Sequence, residues 1–180
     1  MTRLAYVSVC LLVFVVSCKS AKSKPTLAET ALFTKAIEQQ QLRIESDWAY
    51  PHVSNALQQV LDSRILQPDG SAGAISLVGN PNFLEISGDS ITSYLPFFGE
   101  RQMQVAYGGR DNTIEFKGIM EDFKSSTGKN SSYILSFKAK SNTESFSVNL
   151  TLYPNATARM RVNGNSRFPI SYSGFLKSEE

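Results

Sequence analysis

The stretch from Tyr133 to Leu152 reads YILSFKAK, then SNTE, then SFSVNLTL, and it decides the architecture. Tyr133, Leu135, Phe137 and Ala139 alternate with more polar neighbours. Phe146, Val148, Leu150 and Leu152 alternate with Ser147, Asn149 and Thr151. Side chains on a strand point to opposite faces with a period of two, so each run is a strand with one dry and one wet face. Downstream, Pro154-Asn155 reads as a turn into a third strand, in which Met160 and Val162 oppose Arg159 and Arg161. Asn163-Gly164 then reads as a type I′ turn into a fourth, carrying Phe168, Ile170 and Tyr172. Upstream, Thr113–Ile119, Ile91–Leu95, Asn82–Ile86 and Ala74–Val78 read as strands, with Gly79-Asn80-Pro81 and the two-residue Gly88-Asp89 as turns. Leu42, Ile44, Trp48 and Tyr50 share one parity, opposite Arg43, Glu45 and Asp47, up to Pro51. The fold class is therefore mainly β: an antiparallel meander of about nine strands, closed as a barrel or folded into two layers, lipocalin-like in outline.

One helix precedes the meander. Thr26-Leu27-Ala28-Glu29 matches a capping box, and Ala28, Leu32, Phe33, Ala36 and Ile37 form an apolar stripe that runs out around Gln39 to Gln41. Residues 54–73 carry helical spacing at first and a strand-like tip before Pro68-Asp69-Gly70, and the pattern alone does not choose between them. Nothing in the chain calls for a second core, so residues 27–180 are read as a single β-rich domain.

The N-terminus is an address. Leu4 to Val16 is an uncharged apolar run preceded by Arg3, too short for a permanent membrane helix and suited to a signal peptide. It ends in Val15-Val16-Ser17-Cys18, which resembles the lipobox of bacterial lipoproteins. On that reading residues 1–17 are removed and Cys18 is lipidated, its acyl chains anchoring the protein to a membrane. Residues 18–26 then form the lipidated cysteine and a tether that includes Lys19, Lys22 and Lys24. The tether lacks the acidic residues that mark surface export in lipoproteins of the Bacteroidota. The expected location is the periplasmic face of the outer membrane.

Composition narrows the chemistry. With 18 Lys and Arg against 16 Asp and Glu the net charge is only +2, which argues against a nucleic-acid partner. One histidine and two cysteines leave no basis for a zinc or iron–sulfur site, so no metal and no cofactor is expected. No nucleophile elbow occurs, and His52, beside Pro51, belongs to no catalytic motif. Glu85, Asp89, Glu115, Glu121 and Asp122 could supply a carboxylate pair for glycoside hydrolysis, but solvated positions account for them more simply. No catalytic residue is assigned. The candidate ligand-binding residues are Tyr94, Pro96, Phe97 and Phe98, with Tyr107 and Arg110 on a glycine-containing turn. Aromatic faces beside a guanidinium suit a small hydrophobic or glycan-like ligand. The competing reading is that the aromatics plug one end of the barrel. A further alternative is an envelope protein partner bound without a cavity. Asp89-Ser90-Ile91 resembles the short O-glycosylation sequon of the Bacteroidota, which makes Ser90 a candidate for modification.

The blocks Ile91-Thr92-Ser93-Tyr94-Leu95-Pro96-Phe97-Phe98-Gly99, Tyr107-Gly108-Gly109 and Leu152-Tyr153-Pro154-Asn155-Ala156-Thr157-Ala158, with Ser171-Tyr172-Ser173-Gly174, resemble a family of Bacteroidota envelope lipoproteins known only as a domain of unknown function. The resemblance covers about residues 30–176. It implies an envelope location and a β-rich domain, and it carries over no catalytic residue.

Overall fold

The computed structural model describes residues 25–52, 73–102 and 112–177. Cys18, the signal and most of the tether, the ambiguous segment up to residue 72, and Tyr107 with Arg110 lie outside them.

Helix α1 (Leu27–Gln39) begins where the capping box places it: Glu29 N–H donates to Thr26 Oγ1 at 3.2 Å, and Thr26 N–H donates to Glu29 Oε2 at 2.7 Å. Its stripe is only partly used. Ala36 is buried, Leu32 and Phe33 pack on the core, and Ala28 stays exposed.

The strands are β1 (Gln41–Pro51), β2 (Ile75–Ser76), β3 (Phe83–Ser87), β4 (Ser90–Pro96), β5 (Thr113–Ile119), β6 (Glu121–Thr127), β7 (Tyr133–Lys140), β8 (Ser145–Leu152), β9 (Thr157–Gly164) and β10 (Ile170–Lys177). All pairings are antiparallel, in the order β5-β4-β3-β1-β10-β9-β8-β7-β6, and β2 adds only to β1. The sheet curls into a nearly closed barrel. Its two ends, β5 and β6, are separated in sequence by Met120 alone, so one bent segment pairs first with β4 and then with β7. The bend carries Asp122 at φ 53 and a register shift between Glu121 and Lys124, the signature of a bulge.

The interior is the expected one for the C-terminal strands. Leu135, Phe137, Ala139, Phe146, Val148, Leu150 and Leu152 are all buried, as are Met160, Val162, Ile170 and Tyr172. β6 had no signal in the sequence because it has no dry face: all seven of its residues are exposed. The expected strand over Ala74–Val78 shrinks to two residues.

Two expectations are corrected. Trp48 and Tyr50 do not follow Leu42 and Ile44 inward: they are 39% and 40% exposed, while Ala49 is buried. A bulge between Ser46 and Trp48 shifts the register against β10 and reverses the parity. Asn82 supports it as a substitute strand, its Oδ1 accepting Ser46 N–H at 2.8 Å and its Nδ2 donating to Ser46 O at 2.9 Å. Gly174, opposite Ser46, lets the bulged backbone approach, since a Cβ there would overlap the Glu45 carbonyl oxygen. Gly174→Ala is therefore expected to lower stability by at least about 1–3 kcal/mol, read from urea unfolding.

The second correction concerns Asn163-Gly164, which does not turn the chain. Both residues are in β9, paired with Ser147 and Phe146. The reversal is made by Asn165–Pro169, which hydrogen-bonds to the segment after β4 through Gln102 N–H to Ser166 O (2.9 Å) and Phe168 N–H to Glu100 O (3.0 Å). Phe168 accordingly precedes β10. Gly164 serves packing instead: a Cβ would strike the Glu144 carboxylate and the Arg167 stem.

Candidate functional site

Strand alternation sorts the aromatic block 94–98 to two sides. Leu95 and Phe97 point inward and are buried; Tyr94 and Phe98 are about two-fifths exposed, at 39% and 40%. Pro96 closes β4, and its carbonyl accepts the Tyr172 hydroxyl at 2.8 Å. Burial pushes the Tyr172 phenol well above its ordinary range, against the opposing charge of Arg167. The structure thus keeps Pro96 and Phe97 together at one barrel end and sends Tyr94 to the outer face.

That end is closed by an ion pair. Arg167 and Glu144 side chains are 5% and 3% exposed, with Nη2 to Oε2 at 2.6 Å and Nε to Oε2 at 2.9 Å. Arg167 Nη1 donates to Thr113 O at 3.1 Å, and Ser166 N–H donates to Glu144 Oε1 at 3.3 Å. The guanidinium carbon lies 4.7 Å from the Phe97 ring centroid and 5.5 Å from that of Phe146. Burial alone would raise the Glu144 carboxyl; the hydrogen bonds from Arg167 and Ser166, with the Arg167 charge, outweigh it and hold the carboxyl below its usual range. Sequence reading missed this pair, which joins the β7–β8 turn to the loop before β10.

Tyr94 contributes to a shallow depression of about 440 Å³ with Phe83, Glu115, Lys117, Lys140 and Asn142, running from the β3–β5 face across the edge of β5. A smaller hollow of about 140 Å³ lies where α1 meets the bent segment, lined by Ala36, Ile37, Leu42, Met120, Phe123 and Leu135.

The largest of these concavities lies on the outer face of β8, β9, β10 and β1. It holds about 530 Å³ and is lined by Tyr50, Asn149, Thr151, Arg159, Arg161, Ser171 and Ser173. The register sets two rows on this face: Tyr50, Ser171, Arg161 and Asn149 face one another across the strands, and next to them Trp48, Ser173, Arg159 and Thr151, of which Trp48 stands outside the concavity's lining. The β1 bulge brings both aromatics to this face. Tyr50 stands opposite Ser171, yet its hydroxyl is 3.2 Å from Ser173 Oγ, so its ring lies diagonally along β10. Among the described residues neither arginine has a carboxylate partner, and Arg161 Nε donates only to Asn163 Oδ1 at 3.3 Å. The sequence carried one usable sign of this face: no Asp or Glu occurs between Glu144 and Glu179. The parity of Arg159 and Arg161 reads only as a wet face until strand order is known.

The remaining sequence candidates are spread apart. Ser90 is exposed at the end of the Gly88-Asp89 hairpin, where Gly88 has φ 57. His52 is exposed beyond β1. Glu85 is bound by Arg43 at 2.6 Å, Glu121 by Lys140 at 2.7 Å and Asp122 by Lys138 at 2.7 Å. The Lys138 hydrogen bond and charge hold the Asp122 carboxyl below its ordinary value, whereas a general acid needs the opposite shift.

Residues 27–176 match the family model described as a domain of unknown function, DUF4251. This chain belongs to that family. A crystal structure of a DUF4251 family protein from Bacteroides eggerthii DSM 20697 is similar to it in fold, with a TM-score of 0.56 at 19% identity, over 83% of this chain and 87% of that one. A comparison with curated proteins finds no match. The DUF4251 match spans α1 and nearly all of β10, so the helix, the barrel and the outer groove all fall within it.

Proposed function

We propose that this DUF4251 protein is an exported, non-enzymatic binding protein of the bacterial envelope. In this reading residues 1–17 are the signal peptide, Cys18 carries the lipid that holds the protein to the periplasmic face of the outer membrane, and 18–26 are the tether. The domain from 27 onward presents its ligand site on the outside of the barrel. The observation that carries the proposal is the groove of about 530 Å³ in which two arginines without carboxylate partners stand beside Tyr50. Binding rather than catalysis is supported by the carboxylates, since Glu85, Glu121 and Asp122 are each engaged by a cation on the surface. The aromatic block then divides its labour: Phe97 seals the barrel end, while Tyr94 and Phe98 remain on the surface. Those two exposed rings favour a second reading, an envelope protein docking beside the Tyr94 depression.

Native mass spectrometry of the full lipidated protein purified from its own envelope tests the proposal. A reproducible mass beyond the acyl increment, released on denaturation, is the expected result. The bare acylated mass, with a protein recovered by cross-linking through Tyr94 or Phe98, would replace the first reading by the second. The same spectrum checks Ser90: a covalent hexose-scale increment abolished by Ser90→Ala is expected for the exposed Asp89-Ser90-Ile91 sequon, and an unmodified chain refutes it.

A further inference from the structure

We infer that the outer groove of β8, β9, β10 and β1 is a site for an acidic oligosaccharide, held by Arg159 and Arg161 at its charged groups and by Tyr50 at a sugar face. This rests on the reading of the groove as the binding surface.

The charge argument comes first. Arg159 and Arg161 alternate on one strand, so they rise from the same face about 7 Å apart. No carboxylate on the neighbouring strands answers them: their cross-strand partners on this face are Thr151, Asn149, Ser171 and Ser173. A guanidinium is a planar fork that matches a carboxylate or sulfate through two parallel hydrogen bonds. Two of them with no carboxylate partner complement a ligand bearing acidic groups on neighbouring units. By contrast, Arg43, Lys138, Lys140 and Lys177 each lie within ion-pair distance of an acid.

The rest of the lining says what kind of anion. Asn149, Thr151, Ser171 and Ser173 offer hydroxyl and amide groups that both donate and accept, the pattern that matches ring hydroxyls. Tyr50, laid along β10 by its hydroxyl contact with Ser173, supplies an apolar platform. A volume of about 530 Å³ is within the range of small-ligand sites. A peptide added as an extra strand is disfavoured, because each of these four strands is already paired on both sides and has no open edge to offer. A nucleic-acid strand is disfavoured by the net charge of +2.

The test is titration calorimetry on the full chain in detergent, with three oligosaccharides of matched length: oligogalacturonate for carboxylates, a heparin fragment for sulfates, and a maltooligosaccharide as the neutral probe. At least one acidic probe should bind about tenfold or more tighter than the neutral one, and weaken as salt is raised from about 0.05 to 0.5 M. Arg159→Gln with Arg161→Gln should remove that preference, and Tyr50→Ala should weaken acidic and neutral probes alike by a few fold. Lys124→Gln with Lys129→Gln, the same change in net charge on β6 and the turn that follows it, should leave binding unchanged. Equal affinity for the neutral probe overturns the acidic class, as does an equal loss in the lysine double variant, which would mean diffuse attraction. Arginine-dependent binding to phosphatidylglycerol vesicles without binding to any oligosaccharide overturns the saccharide assignment in favour of a lipid headgroup. If no oligosaccharide binds while native mass spectrometry still finds a carried mass, this inference fails and the binding function stands. If neither is found, both fall.

Discussion

Glu144→Ala should lower the free energy of unfolding by about 3–5 kcal/mol, the largest loss expected from any single polar residue of this barrel. The cost is the uncompensated charge left on Arg167. That guanidinium is 5% exposed, sandwiched near Phe97 and Phe146, and its remaining hydrogen bond to the Thr113 carbonyl satisfies only one arm. Replacing both partners, with Glu144→Leu and Arg167→Met, should recover most of the loss, because the penalty belongs to the unpaired charge more than to the missing attraction. A double variant as unstable as Glu144→Ala would show that the pair also organises the turns it joins. The pair has a pH signature. A carboxyl whose folded pKa lies below its ordinary value of 4.5 contributes stability that is present above that value and is lost as pH falls through the folded pKa. The midpoint of urea unfolding should therefore decline below about pH 4.5, and part of that decline should be absent in Glu144→Gln.

Phe97→Ala is the second large effect, an expected loss of about 3–5 kcal/mol with binding in the outer groove unchanged. Phe97 is 4% exposed, its ring lies beneath Arg167, and it fills the space beside Gly99, where a Cβ would come within 2.6 Å of the ring. Removing it opens a cavity under a charged group, so the hydrophobic loss and the weakened cover of the ion pair act together. Thermal unfolding of the variant, followed by titration with an oligosaccharide probe, separates the roles. Loss of binding with a fold nearly as stable as the parent would make Phe97 a pocket lining and not a plug.

Architecture was legible in the sequence wherever a strand has one dry face. The alternation from Tyr133 to Leu152 specifies which side chains enter the barrel, since a half-buried strand must present apolar groups at every second position. The capping box specifies the start of α1 for an equally local reason. Where burial is absent the pattern is silent, and β6, exposed along its whole length, left no trace. Local signals also misled where a long-range contact outweighed them. Asn163-Gly164 has the chemistry of a tight turn, but Gly164 is reserved for the Glu144–Arg167 pair, and the chain turns later. Trp48 and Tyr50 have the parity of core residues, but the bulge anchored by Asn82 and admitted by Gly174 turns them to solvent. The candidate site followed the same division. The aromatic block, the sparse histidine and the balanced charge were readable directly, whereas the groove exists only because β10, the last strand, pairs with β1, the first. Periodicity and caps act over a few residues and are written in the chain; strand order, bulge placement and the pairing of distant charges depend on which surfaces meet, and those are decided only when the barrel closes.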